Sequence, residues 1–245
     1  MMRRIGSALY AVWSFFFLIQ FLLNTLLLGL FVTLITFLTT RRNFVYRVGG
    51  FWSRLNLALT GVKVTVSGME NIEADQPYVV MANHQSLYDV WALIGYLPMQ
   101  LRWVIKFELR RVPVFGLGCH RMGHIFIQRG VSEQARTSLE EAAAKIRNGT
   151  SVFFFPEGTR SPDGRLLKFK RGGFHVAQVA GVPILPITVN GGIKILRRSS
   201  LWLRPGRMEI IIHPAVAMTE GEGNANRNLL LEEVRATIER DLRVT

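Results

Sequence analysis

From Ile5 to Thr40 the chain runs for 36 residues without a charge. So long an apolar run has to find lipid or a large protein surface, and this constrains the fold more than any other feature. As one helix it would measure about 54 Å, against a hydrocarbon core of about 30 Å. It is also longer than the apolar region of a cleavable signal peptide, and no small-residue cleavage site ends it. Asn24-Thr25 and Gly29 are the places where it would break into two shorter helices. With Arg3-Arg4 before it and Arg41-Arg42 after it, a re-entrant or leaflet-buried hairpin keeps both ends on the cytoplasmic side. A single tilted span is the alternative, and either attaches the chain to a membrane.

Charge points the same way. Lys and Arg number 30 against 17 acids, a net +13 that favours anionic partners. Residues 1–60 hold Arg3, Arg4, Arg41, Arg42, Arg47 and Arg54 and no acid, flanking the apolar run. That distribution favours anionic membrane lipids over nucleic acid. Cys119 is the single cysteine, so no intramolecular disulfide forms, and a buried inert thiol is the expectation.

After Trp52 the pattern changes. Val62–Val66 alternates as a half-exposed strand, while Tyr78–Ala82, Trp103–Ile105, Ile125–Ile127, Val152–Phe155, Ile184–Val189 and Met208–Ile212 read as buried strands. Helical spacing covers Glu133–Arg147, stopped by Gly149, and recurs at Leu230, Val234, Ile238 and Leu242 beyond a polar linker at Glu220–Asn228. Strands alternating with helices predict an α/β domain with a mainly parallel central sheet over residues 61–245, preceded by a membrane-associated helical segment over 1–60.

Two short blocks carry the chemistry. Asn83-His84-Gln85-Ser86-Leu87-Tyr88-Asp89 puts an imidazole at a strand end and a carboxylate in the first turn of the following helix. On one continuous helix a five-residue step separates two side chains by about 140°, so only the turn brings them together. Joined, they make a general base and the acid that orients it, which a hydroxyl nucleophile needs. Ser86 and Asp89 also read as a capping box, in which Asp89 serves the helix terminus alone. The second block, Phe155-Pro156-Glu157-Gly158-Thr159-Arg160-Ser161, is a turn at the end of a strand, with Arg160 able to grip a phosphate and Glu157 able to accept a substrate hydroxyl or pair with an arginine. Lys106 and Arg129 follow two more strands, while Lys168, Lys170 and Arg171 read as a basic surface facing acidic lipid or an acidic donor. No histidine spacing suits a metal, and no nucleophile elbow, Walker loop or dinucleotide fingerprint occurs.

Taken in order, these blocks resemble the glycerolipid acyltransferase family, especially its 1-acylglycerol-3-phosphate (lysophosphatidate) acyltransferases. Asn83–Asp89 resembles the His-x4-Asp block, Gly123–Arg129 the second, Phe155–Ser161 the Glu-Gly-Thr-Arg block and Val182–Ile187 the fourth. Lys106–Leu109 with Val112–Gly116 adds a fifth similarity, and Gln128 departs from the aspartate common before the arginine of the second block. The resemblance implies His84 as base, Asp89 as its orienter, and Lys106, Arg129, Glu157, Gly158, Thr159 and Arg160 around a glycerol-phosphate site. It implies no metal or bound cofactor, acyl-CoA or acyl-acyl-carrier-protein as donor, lysophosphatidate as acceptor, phosphatidic acid as product, and a site on the cytoplasmic face of the inner membrane. Other acceptors (glycerol 3-phosphate, another lysophospholipid, a lyso-aminolipid), thioester hydrolysis, and a non-enzymatic basic membrane-binding protein are the competing expectations.

Overall fold

The computed structural model describes residues 2–38, 42–128, 132–200, 202–217 and 224–244. The apolar run does not break where the sequence suggests. Helix α1 is continuous over Met2–Leu38, and α2 follows over Arg42–Leu59. Asn24 stays helical because α2 receives its amide: Trp52 Nε1–H donates to Asn24 Oδ1 and Asn24 Nδ2–H to Asn56 Oδ1, each at 3.1 Å. Both partners lie on α2, so the two helices are joined side by side at Asn24. At Gly29 an added Cβ would stand 3.1 Å from Val114 Cγ1. That glycine serves close packing, not a bend.

Seven strands follow: β1 (Val62–Ser67), β2 (Val79–Ala82), β3 (Leu101–Lys106), β4 (Ile125–Ile127), β5 (Ser151–Phe154), β6 (Ile184–Asn190) and β7 (Gly206–Ile212). They form one sheet in the order β1-β7-β6-β2-β5-β3-β4. The five from β6 to β4 are parallel, with Val79 opposite Val152 and Ile184, and Leu101 opposite Ser151. β7 pairs antiparallel with β6 and β1 pairs parallel with β7, so these two strands run against the other five. The sheet is thus α/β and mainly parallel. Its inner strands are buried on both faces, which is why β2, β5 and β6 read as unbroken apolar runs.

Helices cover both faces. On one side α3 (Leu87–Tyr96) and α2 pack Leu57, Tyr88, Trp91 and Leu93 onto the sheet. On the other, α5 (Ser132–Arg147), α6 (Gly172–Ala180) and α8 (Asn224–Arg240) bury Ile146, Phe174, Val234 and Ile238. Short α4 (Phe115–Arg121) and the single turn α7 (Gly192–Ile195) fill the connections. Cys119 on α4 is buried, and burial pushes its thiol up to about 12.

Helix α1 lies along this body. Trp13, Phe17 and Phe21 pack against the core, with Phe21 between Trp52 and Trp91, and Val32 and Thr33 are buried further on. Its other faces carry Phe15, Phe16, Leu22, Leu26, Leu27 and Leu34, each more than half exposed. The segment Val12–Ile35 is long and apolar enough to cross a membrane.

Candidate functional site

After β2 the chain turns to α3 on one face of the sheet; after the adjacent β5 it turns to α6 on the opposite face. Loops that part in this way open a crevice at the carboxyl ends of the strands. His84 and Glu157 both lie in it.

Asp89 is fully buried in the first turn of α3, and its Oδ2 accepts three hydrogen bonds. His84 Nδ1–H donates at 3.0 Å, Gln85 N–H at 2.6 Å and Ser86 N–H at 2.7 Å. The two uses that the sequence leaves open therefore coexist: one oxygen caps the helix and holds the imidazole. Ser86 Oγ accepts from Tyr88 N–H and donates to Leu196 O at 2.7 Å, tying the cap to the segment after α7. Among the described residues Asp89 Oδ1 has no hydrogen-bond partner; Gly192 presses on it so closely that a Cβ there would overlap the oxygen. The His84 ring lies flat on Phe155, centroids 3.8 Å apart and planes 11° apart, and keeps 13% of its surface exposed. With Nδ1–H committed to Asp89, Nε2 carries a free lone pair.

The Glu157 turn grips this constellation from β5. Glu157 is only 3% exposed, and its oxygens accept from His84 N–H at 2.7 Å and Leu167 N–H at 2.8 Å. Burial pushes its carboxyl up to about 7; the two backbone donors pull it down and the Asp89 charge pushes it further up. Ser161 N–H returns to His84 O at 2.7 Å, so two hydrogen bonds bracket His84. Gly158 takes a φ of +70°, a left-handed conformation that suits glycine. Thr159 is exposed and Arg160 half-buried. Burial, then the charge of Arg198, holds the Arg160 guanidinium below its ordinary value, while Asp89 opposes them.

Other candidates sit differently. Lys106 ends β3 at the same sheet edge, but its ammonium pairs with Glu108 at 3.1 Å and both are exposed. Arg129 lies outside the described residues. Lys170 is not simply a surface lysine: its side chain crosses Gly158, where a Cβ would stand 2.9 Å from Nζ. Among the described residues no three of His, Cys, Asp and Glu converge as a metal site. His124 is a core residue whose Nδ1 accepts Trp103 N–H; burial and nearby Arg102 push it down to about 3.

Several supports of the site have no local signature in the sequence. Asn83 binds both Val189 N–H and Val189 O, at 2.7 and 2.8 Å, and so locks β2 to β6 ahead of His84. Phe155 sets the ring plane, and Gly192 and Leu196 come from more than 100 residues away. Only the glycine pair Gly191-Gly192 after a buried strand offered a local hint of close approach.

Comparison with known proteins places these features in a wider set. A family model described as Acyltransferase matches residues 63–190, spanning both the His84 and Glu157 blocks. A chloroplastic 1-acyl-sn-glycerol-3-phosphate acyltransferase of Brassica napus is 34% identical over 200 residues, 81% of this chain and 56% of its own length. A 1-acyl-sn-glycerol-3-phosphate acyltransferase of Pseudomonas aeruginosa is 36% identical over 177 residues, 70% of this chain and 67% of its own. The chain thus spans little more than half of the plant relative. The crystal structure of the 1-acyl-sn-glycerophosphate (LPA) acyltransferase PlsC from Thermotoga maritima superposes with a TM-score of 0.80 at 28% identity, over 98% of this chain and 96% of that one.

Proposed function

The chain belongs to the acyltransferase family, and from that premise we propose that it acylates the sn-2 hydroxyl of 1-acylglycerol 3-phosphate, giving phosphatidic acid. The observation that carries this reading is the His84–Asp89 pair at 3.0 Å, with the second ring nitrogen open beside the Arg160 turn. His84 Nε2 takes the proton of the acceptor hydroxyl as its oxygen attacks the thioester carbonyl. The C–O bond forms, the tetrahedral intermediate collapses, the C–S bond breaks, and the imidazolium returns its proton to the leaving sulfur. Asp89 fixes the tautomer and stabilises that imidazolium.

Arg160 holds the acceptor phosphate, with Gly158 and Thr159 shaping the turn and Lys106 at a neighbouring strand end; Arg129 is assigned to the same site by the family resemblance alone. Glu157 braces the turn through backbone bonds on both its oxygens. The donor is acyl-CoA or acyl-acyl-carrier-protein. Residues 1–60 form the membrane unit and 61–245 the acyltransferase domain. Because α1 lies against the body through Trp13, Phe17, Phe21 and Val32, its exposed outer faces enter one leaflet from the cytoplasmic side while the site stays at headgroup level.

Thiol release from palmitoyl-CoA by detergent-dispersed protein, with and without lysophosphatidate, tests this. Acceptor-dependent release that falls about a thousandfold in His84→Ala supports the reading. Equal release without acceptor makes the chain a thioesterase. Release only with glycerol 3-phosphate moves the acceptor, and release only with an acyl-carrier-protein thioester fixes the donor.

A further inference from the structure

Cations gather at the His84 turn from three separate segments. Arg160 comes from the turn after β5. Lys170, just before α6, donates its backbone N–H to Pro156 O at 2.8 Å, and its side chain folds back over Gly158 with Cε and Nζ each 2.9 Å from where a Cβ would be. Arg198, in the loop after α7, places Nη1 3.2 Å from Arg160 O. That loop is itself fixed to the base: Leu196 O receives Ser86 Oγ, and Gly192 packs on Asp89.

Among the described residues, no carboxylate lies within ion-pair distance of Arg160, Lys170 or Arg198. Lys106, by contrast, pairs with Glu108, and Arg136 with Glu133 and Glu140. The nearby acids Asp89 and Glu157 are buried and bonded to backbone N–H groups. Arg198 acts electrostatically on Arg160, and Lys170 lies over Gly158 in the same turn; cations placed so without a paired acid are stabilised when an anion binds among them. A phosphate monoester suits the count: near neutral pH it carries between one and a half and two charges (roughly) and three terminal oxygens, whereas a diester carries one charge and two free oxygens.

We propose that Lys170 and Arg198 are specificity-determining residues that join Arg160 in a three-cation cradle for a phosphate monoester, so that the site distinguishes a terminal phosphate from a phosphodiester headgroup. This rests on the reading that the acceptor's phosphate lies at Arg160. The cradle acts on acceptor binding, and its loss appears in KM rather than kcat.

The test uses the full chain in detergent, with kcat and KM measured for lysophosphatidate and for lysophosphatidylglycerol, a phosphodiester. Lys170→Gln and Arg198→Gln should each raise KM for lysophosphatidate about tenfold or more with kcat within about threefold. The weaker diester reaction should stay nearly unchanged, so the preference for the monoester falls about tenfold. Lys170→Arg should restore most of the loss, and Lys63→Gln, on the exposed edge of β1, should change nothing. Unchanged KM, or equal losses on both acceptors, overturns the cradle while leaving the acyltransferase reading intact. Calorimetry with glycerol 3-phosphate separates the two claims. Binding that weakens in Arg198→Gln, in a chain that transfers no acyl group, retains the cradle and discards the transfer. A native chain that neither binds nor turns over discards both.

Discussion

Two imidazoles in this molecule stand near an aspartate, and they are built for opposite ends. His84 donates to Asp89 across 3.0 Å, is clamped flat on Phe155, and keeps Nε2 free. His213 is 2% exposed, with Nε2 2.8 Å from Thr188 Oγ1 and Nδ1 3.8 Å from Asp241 Oδ2, beyond hydrogen-bond range. The Thr188 hydroxyl donates its own proton to Ile238 O at 3.0 Å, so His213 must donate to it. Thr188, His213 and Asp241 have the composition of a nucleophile triad, yet the hydroxyl hydrogen points away from the ring. Burial, moreover, holds the imidazole below its ordinary value. That cluster pins α8 to β6. What separates the two is how each ring nitrogen is occupied.

The comparison breaks most sharply at Asp89. Asp89→Asn turns an acceptor of three N–H groups into an amide that opposes them, and kcat should fall about a thousandfold or more in the thiol-release assay. Gly192→Ala pushes a methyl group onto Asp89 Oδ1 and should cost about a hundredfold in kcat by tilting the pair. Gly149→Ala, with left-handed φ but open space around it, should cost only about 1 kcal/mol of stability and leave kcat unchanged.

Glu157 sharpens the account through pH. Its folded value of about 7 lies above its unfolded value, so the folded state binds the proton more tightly. The resulting stability is fully present below the unfolded value near 4.5 and is lost as pH rises through about 7. Unfolding midpoints measured from pH 4 to 8 should decline over that window. Glu157→Gln should flatten the decline and cost about 1–3 kcal/mol, because its amide N–H faces a backbone donor. His213→Ala should also spare catalysis, costing about 1–3 kcal/mol of stability with kcat within about threefold.

The parts legible in the sequence were those written in local pattern. Buried strands such as β2, β5 and β6 showed as apolar runs, and α5 showed by its spacing. The His84 turn was legible as two competing uses of Asp89, but spacing carries no information about which oxygen meets which donor. Asn24 and Gly29 misled because their partners, Trp52, Asn56 and Val114, lie far along the chain. The same distance hid Gly192 and Arg198, which reach the Asp89 and Arg160 turns by tertiary paths that leave no periodic trace. Strand β7 read as a strand, but its reversed direction is set by pairing with β6.

The most direct test sets the two histidines side by side: kcat/KM for lysophosphatidate with palmitoyl-CoA, for the native chain, His84→Ala and His213→Ala, in one preparation. With His84 as the base and His213 a structural pin, the first variant should lose about a thousandfold and the second less than about threefold. Comparable losses in both, or an active His84→Ala, would contradict that assignment.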